Sequence, residues 1–288
     1  MKKTIDYNGP SPKARFYKIK KHWQILRTRV KSSSELKRIR SYQNDTLSTI
    51  LDAFLQVKHQ NFGKEDVQAF ERQEAFRSGL LRDESIVTYE IFDSSAKRSV
   101  KDICRVSASP KVWAQFLYCL AKKLQSRNVL EIGTNVGISG AYLLEALKSI
   151  PGSRLVTMEG LSQLCDIAEK QFLNIVDEEG FEVIPGLYQN TFPKILESDR
   201  NYDLLFIDGN HQKEPTIEYF EKLKAKITSP AVYIFDDINY SIGMHEAWEI
   251  IRMDADVNYS IDLFKNGIVI IDSADANRNE NFSLHLDY

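Results

Sequence analysis

The chain has 288 residues, of which 43% are hydrophobic and 27% charged. That is ordinary globular usage, with length enough for one to two domains and a real core, so disordered, collagenous and coiled-coil classes are excluded for the chain as a whole. The formal charge of −2 hides a polarised chain: residues 1–40 carry thirteen Lys or Arg against Asp6 and Glu35, a balance of +11, and the rest carries −13. No apolar run reaches the ~18–20 residues needed to span a bilayer, and residues 1–10 have no apolar signal-peptide core, so a cytoplasmic protein is expected. Cys104, Cys119 and Cys165 form no CxxC pair. They read as buried small hydrophobes in a reducing compartment.

In chain order, the first half reads as helical. Phe16, Ile19, Trp23, Leu26 and Val30 recur at spacings of 3 and 4, which predicts a basic amphipathic helix, with a hinge at the three serines Ser32–Ser34. Further helices are expected over 45–60 and 64–81. From about residue 105 the rhythm alternates. Helices are expected over 112–124, 137–150, 162–176, 193–197, 214–225 and 243–253. Strands are expected over 128–132, 154–158, 181–184, 202–207 and 231–235. Alternation of this kind gives a doubly wound, mostly parallel sheet covered on both faces. Two last strand runs, 259–264 and 268–272, flank Lys265-Asn266-Gly267, a hairpin signal. The expected architecture is a seven-stranded Rossmann-like α/β sheet with an antiparallel C-terminal hairpin. A helical region, 1–104, precedes a ligand-binding domain over 105–288.

The run Val129-Leu130-Glu131-Ile132-Gly133-Thr134-Asn135-Val136-Gly137 ends a buried strand in an acid and opens a helix through two glycines. Glycines let backbone approach a ligand closely, and the helix start offers free amides. Ligands of open α/β sheets bind at the carboxyl ends of the strands. A dinucleotide site would want G-x-G-x-x-G. Gly133, Gly137 and Gly140 only partly mimic the short-chain dehydrogenase spacing, and the Tyr-x-x-x-Lys pair of those enzymes does not follow this turn. Glu131 would repel a pyrophosphate but suits an ammonium group, reached directly or through water. That points to S-adenosylmethionine (SAM), bound by Glu131, Gly133, Thr134, Asn135 and Gly137. The second strand supports this by placing Glu159, before Gly160, where a carboxylate can accept both ribose hydroxyls.

These residues resemble the class I SAM-dependent methyltransferase family over roughly 105–275, through its E/D-x-G-x-x-x-G loop at Glu131, Gly133 and Gly137 and its antiparallel closing strands. The resemblance implies that Gly186-Leu187-Tyr188-Gln189-Asn190 flanks the adenine, with Tyr188 or Leu187 packed on the ring and Gln189 at its edge.

The fourth strand runs into Asp208-Gly209-Asn210-His211 and the fifth into Asp236-Asp237. Parallel strands put all three carboxylates on the rim of the SAM loop, where like charges need a counter-charge. A hard divalent cation such as Mg²⁺ would supply it. The pattern resembles the catechol O-methyltransferase-like branch, in which an Asp after the fourth strand and an Asp-Asn pair after the fifth hold Mg²⁺. Here the pair is Asp236-Asp237, a departure. That branch has a Lys base three residues after the first Asp, where this chain has His211. Imidazole titrates near neutrality and suits a general base. Phe206-Ile207-Asp208-Gly209-Asn210-His211 also resembles a bacterial sugar O-methyltransferase branch.

The resemblance therefore implies methyl transfer from SAM to a hydroxyl oxygen of a small molecule or sugar, with His211 and Asp208 at the reaction centre. Asp208 serves either the metal or the structure around SAM. The chain has neither the Asn/Asp-Pro-Pro-Tyr/Phe motif of amino-group methyltransferases nor a Cys after the fourth strand. His245 reads as a second acid–base group or a solvent-facing helix residue, and Trp248 as core. The basic helix fits the acidic body or a second subunit in a homodimer, an anionic membrane, or nucleic acid. Two rival functions follow: an RNA methyltransferase tracking phosphates with that arm, and a non-catalytic interaction protein on the same fold.

Overall fold

The computed structural model describes residues 12–287, with side chains from residue 25 onward. Phe16, Tyr17, Ile19 and Trp23 of the basic helix therefore lie outside the described side chains.

Helix α1 (Pro12–Arg40) runs unbroken through Ser32–Ser34, so the expected hinge is absent. Serine is only modestly unfavourable inside a helix, and Ser34 Oγ satisfies itself on the Lys31 carbonyl at 2.7 Å. Leu26 and Val30 stand exposed. Helix α2 (Asp45–Lys58) is capped by Asn44, whose side chain accepts the Leu47 amide. It buries Leu47, Ile50, Leu51, Phe54 and Val57, the face its spacing predicts. Helix α3 (Lys64–Leu80) begins at Gly63, whose amide donates to Asp66 Oδ2 at 3.0 Å. Asp66 also accepts from the Tyr118 hydroxyl and Lys122 Nζ, at 2.8 and 2.6 Å.

Where the sequence reading expected only helices, two short strands, β1 (Ile86–Thr88) and β2 (Lys97–Ser99), form a separate antiparallel hairpin. A 3-10 turn at Glu90–Phe92 and Asp93 at φ 52° cross its tip. Helices α4 (Val100–Ser107) and α5 (Lys111–Leu124) follow.

The main sheet is built from β3 (Asn128–Ile132), β4 (Arg154–Glu159), β5 (Phe181–Pro185), β6 (Tyr202–Ile207) and β7 (Ile227–Phe235), joined by β8 (Tyr259–Asp262), β9 (Gly267–Ile271) and β10 (Glu280–Ser283). Their order across the sheet is β10-β8-β9-β7-β6-β3-β4-β5. The five central strands, β7 to β5 in that order, are parallel. β9 runs antiparallel to β7 and β8 antiparallel to β9, which is the expected hairpin. One strand more than expected, β10, adds parallel to β8 and makes the sheet eight-stranded.

Between the strands run α6 (Ile138–Leu147), α7 (Ser162–Phe172), α8 (Tyr188–Glu197), α9 (Lys213–Leu223) and α10 (Ile242–Ile251). Every residue of α6 is buried, because α6 lies between the sheet and the N-terminal helices α3 and α5. Its one acid, Glu145, is held by the forked guanidinium of Arg72, at 2.7 Å to each oxygen, and by Gln73. The N-terminal helices and one face of the sheet thus share a single apolar core. At the far edge Arg38 lies over the Phe282 ring, 4.2 Å from its centroid. Trp248 is buried, and a Cβ on Gly267 would meet its ring at 2.5 Å. All three cysteines are free and buried. Among the described residues no helix is long and apolar enough to cross a membrane.

Candidate active site

Strand order reverses between β3 and β6, and the functional candidates collect at the carboxyl ends there. Gly133 sits at φ 108°, and a Cβ on it would stand 2.4 Å from the Asp208 carbonyl oxygen. The turn after β3 can pass the end of β6 only because no side chain is there. Gly137, at φ 82°, starts α6, and a Cβ there would strike Ala168. The amides of Gly133 and Thr134 donate to the Met158 carbonyl, pinning the turn to β4.

Glu131 is wholly enclosed beneath this turn. Its Oε2 accepts from Thr157 Oγ1 at 2.7 Å, and Thr157 pairs with the Thr134 hydroxyl at 2.5 Å. Burial pushes its carboxyl up to about 7, against the pull of the Ser139 and Thr157 hydroxyls. Glu131 supports the loop from below and does not line the cavity.

Glu159, at the end of β4, does line it. Its Oε2 accepts the Asn135 amide and its Oε1 the Leu161 amide, both at 2.9 Å. Burial raises its carboxyl above the usual range, although the amides of Leu161, Asn135 and Gly160 oppose this. With Glu159 the cavity is lined by Gly160, Leu187, Tyr188, Gln189 and Asn210, and its volume is about 810 Å³. Tyr188 crosses toward β6: a Cβ on Gly209 would meet its ring at 2.7 Å and its hydroxyl at 3.0 Å. Burial raises its phenol, and the charges of Glu159 and Asp208 add to this. Glu159 and Gly160 suit the ribose of SAM and the apolar walls suit its adenine, whereas Gly133, Thr134, Asn135 and Gly137 are not among the residues lining the cavity.

Sequence reasoning missed part of the cavity. Ile91, Phe92 and Asp93, from the tip of the β1–β2 hairpin, form one wall. Phe92 lies so close to Gly160 that a Cβ there would meet the ring at 2.7 Å. No local pattern announces a hairpin of three-residue strands.

Asp208 and His211 follow β6, and Asp236 and Asp237 follow β7, and none of the four is among the residues lining this cavity. His211 Nε2 is 3.5 Å from Asp208 Oδ1, and its ring lies 6.0 Å from that of Tyr240. Asn210 and His211, at φ 71° and 44°, and Asp237, at φ 51°, all hold left-handed backbone, as Asn135 does at 50°. Such conformations cost energy and cluster where a site needs side chains turned inward. Burial drives the Asp208 carboxyl well up, and the charge of the neighbouring Asp236 adds to the rise. His245 is half-buried on α10.

The divalent cation expected at Asp208, Asp236 and Asp237 does not fit this arrangement. Lys265 Nζ lies 2.8 Å from Asp236 Oδ2 and 2.7 Å from Asp237 Oδ1. An ammonium already occupies the place where a cation would meet the pair. Burial alone would lower the Lys265 pKa, but the pull of Asp236 and Asp237 outweighs it and holds the group charged. Among the described residues no group of three or more His, Cys, Asp or Glu side chains is placed to hold a metal ion.

Comparison with known proteins finds methyltransferases. Residues 130–238 match the family model described as a methyltransferase domain. A catechol O-methyltransferase of Niastella koreensis is 29% identical over 175 residues, 59% of this chain and 73% of that one. A putative O-methyltransferase of a Mycobacterium species is 27% identical over 133 residues, and the match spans 46% of this chain and 58% of the relative's length. Among solved structures, the O-methyltransferase TomG from Streptomyces achromogenes, in complex with SAM, shares the fold at a TM-score of 0.51. It is 23% identical, with 58% of this chain and 82% of that one covered. Together these likenesses make the chain similar to class I SAM-dependent O-methyltransferases, with the methyltransferase-domain match spanning residues 130–238.

Proposed function

We propose that this chain transfers the methyl group of SAM to a hydroxyl oxygen of a small molecule or sugar, with His211 as general base. The observation that carries the reading is the juxtaposition of His211 with Asp208 on the same rim as the glycine loop and Glu159. SAM supplies an electrophilic methyl carbon on a cationic sulfur. An acceptor oxygen attacking that carbon would break the C–S bond, return its electron pair to sulfur and leave S-adenosylhomocysteine. The acceptor proton passes to His211, and the imidazolium that forms lies beside Asp208. The chain's main contribution is to hold the two reactants aligned. Ile91 and Phe92 share the cavity with Glu159, which supports a role for the N-terminal region in acceptor choice.

The test is mass-spectrometric detection of methyl transfer to a panel of catechols, sugars and short RNAs, alongside calorimetry with S-adenosylhomocysteine. His211→Ala is expected to lower turnover by roughly 10²–10⁴ while leaving S-adenosylhomocysteine affinity unchanged. Transfer that persists at the wild-type rate in this variant refutes the base assignment. Failure of the wild type to bind S-adenosylhomocysteine refutes the functional reading itself.

A further inference from the structure

The position of Lys265 follows from sheet register. β7 and β9 pair antiparallel with Phe235 opposite Gly267, so two residues further on Lys265 comes opposite Asp237. The pairing continues there, since the Ile238 amide donates to the Lys265 carbonyl at 3.0 Å. Asn239 Nδ2 closes the same turn on the Phe264 carbonyl at 2.8 Å. The lysine is therefore anchored by backbone on both sides, and its side chain is largely enclosed, at 20% exposure. Asp236 is more enclosed still, at 9%. A dication at this rim would need several oxygens converging on one point. Here one oxygen each of Asp236 and Asp237 already faces a fixed positive charge, and any metal ion beside it would be repelled at short range.

We propose that Lys265 takes the place of the divalent cation in this site, so that methyl transfer by this chain is independent of metal. Lys265 is a positioning residue: its ammonium holds Asp236 and Asp237 together at the rim that carries His211. An ammonium has three N–H donors. The two carboxylates take two of them, so the one ammonium bridges both acids. This inference rests on the methyltransferase reading for its consequence, although not for its test.

The test is Mn²⁺ binding by the full chain, followed by the loss of the free-ion EPR signal, with and without S-adenosylhomocysteine. The wild type is expected to bind no Mn²⁺ up to millimolar concentration, and any turnover is expected to be unchanged by EDTA. Lys265→Met leaves the acidic rim without its counter-charge and is expected to raise Mn²⁺ affinity by at least about tenfold. Stoichiometric Mn²⁺ binding by the wild type overturns the proposal, as does a folded Lys265→Met chain that gains none. The wild-type measurement needs no variant, so a Lys265→Met chain that does not fold still leaves the proposal open to refutation. The EPR readout needs no turnover, so an absence of methyl transfer or of S-adenosylhomocysteine binding counts against the enzymatic reading alone.

Discussion

Glu131→Gln tests the buried acid beneath the cofactor loop. The wild-type carboxyl moves from an ordinary 4.5 to about 7 because it is completely enclosed. Between those values the folded chain holds more protons than the unfolded one, so wild-type stability falls as pH rises through that window. At about 1.4 kcal/mol per pH unit, the full penalty above pH 7 is about 3 kcal/mol. Glutamine keeps the volume and carries no charge, and its carbonyl can still accept the Thr157 hydroxyl that Glu131 Oε2 accepts at 2.7 Å. The assay is urea unfolding of both chains, without ligand, from pH 5 to pH 8. The stability of the variant relative to the wild type is expected to rise by about 2–3 kcal/mol across that range. A difference that stays flat with pH would mean that Glu131 is ionised in the fold at pH 5, and that burial does not govern it.

Two further substitutions probe the frame around the site. Gly133→Ala forces a Cβ to within 2.4 Å of the Asp208 carbonyl at a φ of 108°. It is expected to lower the melting temperature and abolish S-adenosylhomocysteine binding, and unchanged calorimetry would show that the turn yields without disturbing the site. Arg72→Ala leaves the enclosed Glu145 with only Gln73 and Lys148. The loss is expected to be about 2–3 kcal/mol in urea unfolding at neutral pH, below the usual cost of breaking a buried pair because Lys148 remains. Burial tends to raise the Glu145 carboxyl, but Arg72, Lys148 and Gln73 together hold it below its ordinary value. That stabilisation is present at neutral pH and lost as pH falls through the carboxylate range, so the deficit of the variant should shrink in acid.

Several features were legible because they depend on short-range order. The five central strands announced themselves as apolar runs between helical patterns, and their ends carry Glu131, Glu159, Asp208 and Asp236. In a parallel sheet every such end lies on one rim, so these acids had to lie along the same edge of the sheet whatever the details of packing. Asn-Gly at residues 266–267 likewise marked the closing hairpin, which the structure has.

What remained hidden depends on contacts between distant segments. Nothing near Lys265 says that it neutralises Asp236 and Asp237. That follows from the register of β9 on β7, which the local sequence leaves open to a slip of a residue in either direction. The hairpin that brings Phe92 against Gly160 is too short for any periodicity to reveal, and its place on the cavity is decided by packing. Residue order alone thus determined the fold class and the row of acids along the sheet. The tertiary structure alone decided which positive charge answers them, because an ion pair across strands is set by register and burial and leaves no local pattern.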